Sequence, residues 1–432
     1  MNRNELTGSK YFYGWKIAVA LLVINTFVSG LSFYNHAVIL NALSLQPQFT
    51  VQSVSLAVSI FFLSSGLTGL WVAKLLKDYD PRLCICAGAA IAGISLALLG
   101  LVENTWQLYL VYALFGAGFC ASGLVPATTL ITRWFHKKRA VALSIASTGL
   151  SLGGVVLTPI SALMVDFFGL AKAAPAMGFV YFIGVAPIAL VWLRASPESI
   201  GLNVDGEKAE QATAVSAADE NASSQVENRN NKPMSFSGLT YSEALNTRLF
   251  WAISIAYIFL MLAQVGGIAH QYGLSRAILS ESEAAMIVAI LPVASIIGRL
   301  VGGWVIGQMS IRLFAILMMV FQAVSLGLLG LGSGVVVLCI GLAFFGVSVG
   351  NLLMLQPLLI AEIFGTRDYA KIFSFANLLS SLGTAAGPSI LGVVYALSQN
   401  QYSVAYLVAS LSGVIGLALF LYGGAINRVE DS

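Results

Sequence analysis

A single arginine stands in the stretch VASIIGRLVGGWVIG, Val293 to Gly307, among aliphatic residues, glycines, one serine and one tryptophan. The guanidinium of Arg299 keeps its proton in a protein and presents five N–H donors in a planar fork, which meets a carboxylate through two parallel hydrogen bonds. Histidine is the other side chain here with chemistry near neutral pH. His36, in GLSFYNHAVIL, is a candidate carrier of a proton and, with its neighbour Tyr34, a candidate substrate contact. His270 reads as structural or gating, and His136, inside a basic run, as solvated. The cysteines, Cys84, Cys86, Cys120 and Cys339, all fall in apolar segments. Cys84 and Cys86 are too close for a relaxed disulfide and have no histidine nearby to complete a zinc site, so no metal and no cofactor is expected. Neither a Ser/His/Asp set nor a glycine loop for phosphate appears, which argues against an enzyme.

The elements that carry these residues are built for lipid. The chain has 432 residues, 58% of them hydrophobic and 9% charged, with mean hydropathy +0.86. Soluble domains carry about 25% charged residues, so the solvent for most of this chain is the bilayer. Apolar stretches long enough to cross it run over approximately 17–40, 53–73, 83–102, 108–132, 140–164 and 174–193, and after a break over 249–269, 284–306, 313–331, 335–361, 372–397 and 403–425. The first carries an aromatic cluster, Tyr11, Phe12, Tyr13 and Trp15, and no small-x-small cleavage pattern, and so reads as a transmembrane helix rather than a signal peptide. Arg299 lies nine residues from Gln308 at the end of the eighth stretch. That is roughly 13 Å along a helix, close to the middle of a hydrocarbon core about 30 Å thick. An arginine there costs about 2.5–3.5 kcal/mol on insertion scales, and snorkelling covers only part of the depth, so substrate binding outweighs a structural role. No Asp or Glu lies deep in any stretch, Glu362 being at a helix end, so the charge has room for an anion from outside.

With the N-terminus inside, the cytoplasmic segments hold 19 Lys and Arg and the outer loops only Lys172 and Arg276, which places both termini in the cytoplasm. The break contains EKAEQATAVSAADENASSQVENRNNKP, polar and poor in aromatics, and reads as a disordered cytoplasmic linker over 194–248, with SFSGLTYSEALNTRLFW as a short surface helix leading to the seventh stretch. It separates two bundles, 1–193 and 249–432. The bundles echo each other: the fifth stretch carries STGLSLGGVVLTP and the eleventh SSLGTAAGPSILG, glycines at four-residue spacing with a proline. Gly149, Gly153, Gly387 and Pro388 are therefore candidates for conformational movement. Neutral polar residues at mid-depth include Gln264, Asn351 and Ser380, each able to line a cavity or to bond between helices. A twice-repeated six-helix bundle is the sequence form of a secondary transporter that binds its substrate between its halves.

The chain resembles the major facilitator superfamily along nearly its whole length, and within it the branch of the monocarboxylate transporters and the oxalate:formate antiporter. The residues that carry the resemblance are the Tyr13-Gly14-Trp15 opening of the first span, Arg133-Trp134-Phe135-His136-Lys137-Lys138-Arg139 leading into the fifth, and Ser196-Pro197-Glu198-Ser199-Ile200-Gly201-Leu202 after the sixth. Gly298-Arg299 in the eighth and Ala361-Glu362-Ile363-Phe364-Gly365 after the tenth complete them. The resemblance implies that Arg299 grips a substrate carboxylate and that the tenth and eleventh spans, with Asn351 and Ser380, face the cavity.

The sequence also departs from the pattern. The loop after the second span reads Ala73-Lys74-Leu75-Leu76-Lys77-Asp78-Tyr79-Asp80-Pro81-Arg82, with a lysine where the family's latch aspartate stands, leaving Asp78 or Asp80 to substitute. Ser295 occupies the place of the carboxylate one turn before the arginine, Ser380 that of the oxalate carriers' lysine, and Leu124 that of a pocket tyrosine. Gly69 is the first-half counterpart of Arg299. One fixed cation suits a monoanion better than a dianion.

The expectation is an all-α membrane protein of twelve transmembrane helices in two pseudo-symmetric bundles that moves a small organic monoanion by alternating access, with proton symport or anion exchange. It is expected as a monomer in the plasma membrane, a bacterial inner membrane in particular, with no nucleic-acid partner. Efflux of amphipathic compounds and a non-transporting membrane sensor are the alternatives.

Overall fold

The structure, a computed structural model, describes residues 12–135, 138–206, 238–306, 308–365 and 367–424. Eleven of its helices are long and apolar enough to cross a membrane, and Gly14–Gly30 is a shorter apolar one. Apolar runs without internal hydrogen-bond competitors form helices because lipid leaves the backbone no other partner. Polar caps set their ends: Thr50 accepts from the backbone of Ser53 at the start of Val51–Asp78, and Asn104 and Ser310 do the same for Thr105–Ser122 and Ile311–Leu331.

Three of the expected continuous stretches are broken. The first span is Gly14–Gly30 and His36–Ser44 joined by a turn, the fourth is Thr105–Ser122 and Leu124–Trp134 hinged at Gly123, and the eighth is Glu281–Ile287 and Ile290–Val305. Hydropathy does not register such breaks, since the turn residues Leu31 to Asn35 lie inside the apolar run. The remaining spans are Pro81–Leu98, Arg139–Phe168, Leu170–Trp192, Arg248–Arg276, Val335–Phe364, Tyr369–Leu397 and Tyr402–Tyr422. A short helix, Tyr241–Leu245, precedes the seventh span, and the backbone of Gly238 pairs with Gly365 beside it.

Glycines set how closely the spans pack. A Cβ at Gly149 would overlap the carbonyl of Leu22, and one at Gly383 the carbonyl of Ile258. In the same way Gly116 closes on Phe61 and Gly346 on Leu291. These contacts repeat: a shift of 230 residues carries both Phe61 to Leu291 and Gly116 to Gly346, while Leu22 and Ile258 are 236 apart and Gly149 and Gly383 are 234 apart. The first and fifth spans are thus paired like the seventh and eleventh, and the second and fourth like the eighth and tenth.

One hydrophobic core draws its buried residues from Tyr13 to Leu193 with Ala269, and a second from Ala244 to Phe420. Tyr34 belongs to a third cluster made otherwise of second-half residues. Further contacts join the halves at the end away from the chain termini. Ser59 of the second span accepts from the backbone N and the hydroxyl of Ser389 in the eleventh, at 3.1 and 2.7 Å. His270 Nε2 lies 3.1 Å from the carbonyl of Pro388 and 3.3 Å from Ser55 Oγ.

Candidate functional site

The second half of the eighth span, Ile290–Val305, has one face turned outward, with Leu300 and Trp304 exposed, and another turned to the space between the halves, which carries Ser295 and Arg299. Arg299 Nε donates to the carbonyl of Gly350 at 3.3 Å, and one terminal nitrogen donates to Ser151 Oγ, across the interface, at 3.5 Å. Two of five donors are so engaged, at lengths that leave both bonds weak. Among the described residues no carboxylate pairs with this guanidinium. The Tyr34 hydroxyl sits beside it, next to Ser151 and Ser295. Gly154 permits that position: a Cβ there would come within 2.9 Å of both the Tyr34 ring and Pro292.

Asn351 holds this arginine's helix in place. Its amide nitrogen donates to Gly298 and to Val347, each at 2.9 Å, and its side-chain oxygen nests against Gly302, where a Cβ would not fit. The residue therefore braces the eighth span on the tenth immediately before and after Arg299. Ser380 is buried one helix away, accepting from Gln356 Nε2 at 2.6 Å and donating to the carbonyl of Ala376 at 3.0 Å. Gln264, inside the seventh span, is buried with neither amide atom paired.

His36 follows Tyr34 by two residues and points elsewhere. Its ring is enclosed by Phe61, Phe62, Tyr112 and Phe115, with centroids at 4.3, 5.7, 5.7 and 5.9 Å, and both ring nitrogens lack a partner. It bonds neither Asn35, whose amide faces Met177 Sδ at 3.6 Å, nor Tyr34. Arg299, Tyr34 and Asn351 are thus brought together, while His36, Gln264 and Ser380 occupy separate places.

The candidates for movement lie at contacts between helices. Gly149 and Gly153 close the fifth span on the first, Gly387 closes the eleventh on the seventh, and Pro388 offers its carbonyl to His270. Asp80 caps the third span and pairs with Arg82 at 2.6 Å; the Arg82 hydrogen bond, with the nearby Arg133 charge, holds its carboxyl below the ordinary range. Asp78 ends the second span, and its side chain lies outside the described residues.

Sequence reasoning passed over Ser151, Ser295 and the Gly350 carbonyl as parts of the site. Ser151 carried a usable signal, being the one hydroxyl between the packing glycines Gly149 and Gly153. A backbone carbonyl such as that of Gly350 carries none.

The Major Facilitator Superfamily model matches residues 22–279. Monocarboxylate transporter 12 of Xenopus laevis is 23% identical over 369 residues, covering 82% of this chain and 77% of its own. The aspyridones efflux protein apdF of Emericella nidulans is 27% identical over a shorter 170 residues, 39% of this chain and 34% of its own. Among solved structures, that of the nucleoside transporter NupG superposes with a TM-score of 0.72 at 12% identity, covering 94% of this chain and 99% of that one, a likeness of fold alone.

Proposed function

The chain belongs to the major facilitator superfamily, and on that premise we propose that it is a secondary active transporter of a small organic monoanion, with Arg299 as the group that holds the carboxylate. The observation that carries this reading is the guanidinium itself, set between the halves on two long hydrogen bonds and with no carboxylate beside it among the described residues. A charge removed from water without a partner is costly, and an anion that enters the site, aligns with the unused N–H donors and leaves again relieves that cost only while bound. Tyr34 and Ser151 bring first-half hydroxyls to the same place, so one ligand touches both halves. The similarity to monocarboxylate transporter 12 supports a monocarboxylate as the substrate class.

Transport proceeds by alternating access, the bundles 1–193 and 249–432 rocking about the site. Proton symport and anion exchange both suit a cavity with one fixed cation, and His36 is the titratable group assigned to a coupling proton, exchanged in a state that opens its aromatic cage. The excess of Lys and Arg on one side supports cytoplasmic termini and a place in the plasma membrane. A second reading, export of amphipathic compounds, draws on the similarity to the aspyridones efflux protein.

The test is thermal stabilisation of the purified protein by monocarboxylates, dicarboxylates and matching neutral amides, beside Arg299→Gln. Stabilisation of the wild type by monocarboxylates, lost in a folded Arg299→Gln protein, is expected. Equal stabilisation of both proteins by neutral compounds would end the organic-anion reading in favour of the second one.

A further inference from the structure

Most glycines inside the spans are explained by a neighbour: at Gly30, Gly116, Gly149, Gly153, Gly383 and Gly387 an added Cβ would run into the backbone of an adjacent helix. Gly69 and Gly66, one turn apart in the second span, are different. A Cβ at Gly69 would meet only Cys120 Sγ, at 3.6 Å, and one at Gly66 would meet nothing within 4 Å. Neither glycine is required by helix packing, and each weakens its helix relative to alanine.

Gly69 is turned inward. Leu63, Leu67 and Trp71, exposed by 51, 60 and 74%, mark the face of the second span turned to lipid. At 100° per residue, Gly69 lies about 200° from Leu67. The shift of 230 that carries Phe61 to Leu291 carries Gly69 to Arg299. The two positions are therefore equivalent across the pseudo-two-fold, at matching places in the second and eighth spans, a guanidinium on one and bare backbone on the other. Beside Gly69 the second span packs on the third and fourth: Val72, Leu76 and Cys120 form a buried cluster with Cys84, Ala121 and Val125 packed on it, and the Ser65 hydroxyl reaches Cys120.

From this we infer that Gly69 sets the size of the substrate: the site takes monocarboxylates with a bulky apolar or aryl group, the carboxylate at Arg299 and the apolar group in the gap that Gly69 leaves in the opposite wall. The inference rests on the reading of Arg299 above and adds to it the chemistry of the other end of the ligand. A side chain at position 69 fills the gap without striking backbone, so substitution there changes the room for a ligand while sparing the fold.

The test measures the concentration of propionate, hexanoate and 4-phenylbutanoate that gives half-maximal thermal stabilisation, in the wild type, Gly69→Ala, Gly69→Leu and Arg299→Gln. The wild type is expected to prefer 4-phenylbutanoate to propionate. Gly69→Leu is expected to lower that preference at least ten-fold, with Gly69→Ala between the two. If monocarboxylates stabilise the wild type but not Arg299→Gln, and the preference is the same in all Gly69 variants, the size-setting role is wrong while the arginine reading stands. Equal weakening of every acid by Gly69→Leu would likewise overturn it, by showing an effect on the helices instead of the gap. If no monocarboxylate stabilises the wild type, the arginine reading fails and the inference falls with it.

Discussion

The Arg299 side chain of the second half and the Ser151 hydroxyl of the first are 3.5 Å apart, which makes this one contact both part of the site and part of the interface between the halves. A ligand that aligns with the unused donors would lie beside that bond and next to both halves.

Arg299→Lys separates charge from geometry. An ammonium keeps the positive charge but loses the fork that engages both carboxylate oxygens and the reach to Gly350. A charge-assisted hydrogen bond is worth about 1.5–3 kcal/mol, so monocarboxylates are expected to bind roughly ten-fold or more weakly to the lysine protein. Titration by isothermal calorimetry reads this directly; equal affinity in both proteins would mean that charge alone selects the ligand.

Gly383→Ala is expected to lower the melting temperature sharply, because its methyl group would occupy the space of the Ile258 carbonyl. Overpacking of this kind costs about 1–3 kcal/mol. Gly69→Ala, in the same detergent, should match or exceed the wild type. A common loss in both variants would show that the two glycines serve one purpose.

Ser59→Ala removes the acceptor of the Ser389 backbone and hydroxyl. A net loss of about 1 kcal/mol shifts an equilibrium roughly five-fold, here toward separation of the second and eleventh spans at the end away from the termini. Spin labels at Gln48, in the loop before the second span, and at Leu397, the last residue of the eleventh, should report a larger population of long distances. An unchanged distance distribution would mean that these hydroxyls do not hold the contact.

His36→Phe replaces an imidazole whose nitrogens are both unpartnered by a ring suited to its aromatic surroundings. Stability should be kept or raised, since buried polar atoms without partners are costly. If His36 carries a coupling proton, uptake into vesicles loses its dependence on a pH gradient while exchange of labelled for unlabelled substrate persists. Gradient-driven uptake that survives in the variant assigns the proton elsewhere.

Asp80→Asn tests the pairing at the loop after the second span. The Arg82 hydrogen bond holds the Asp80 carboxyl below its ordinary range. A depressed carboxylate contributes stability that is present above the unfolded value, about 3.9, and is lost as pH falls through the folded one. Asparagine still caps the helix, so the variant should melt slightly below the wild type at pH 7, with the difference shrinking below about pH 4. A gap that persists in acid would place the effect in packing.

The spans were readable because hydropathy reports directly on burial in lipid, and the repeat of the two halves because their glycine spacing recurs. Aligning Ala73 with Gly303 at the ends of the second and eighth spans already matched Gly69 with Arg299, and the packing of Phe61 with Gly116 and of Leu291 with Gly346 repeats in that register. The turn at Leu31 to Asn35 was hidden, since its five residues, three of them polar, are too few to interrupt the apolar run on either side. It also decides where Tyr34 and His36 point, one toward Arg299 and the other into rings supplied by Phe61, Phe62, Tyr112 and Phe115. Those rings belong to two other spans, and no local pattern announces that they meet. Asn351 was visible as a polar residue at mid-depth, but its bond to the Gly298 carbonyl of the eighth span was not, and that is what makes it a brace.

The clasp before the seventh span has a mechanical meaning. Gly238 pairs with Gly365, and the Tyr241 backbone donates to Asp368 Oδ2 at 2.9 Å, so the incoming chain is fastened to the loop between the tenth and eleventh spans before it reaches Arg248. It works as the strain relief on a cable does. A pull on the chain at Gly238 would meet the loop between the tenth and eleventh spans before the seventh span, whose Gly266 and His270 contacts touch the eleventh.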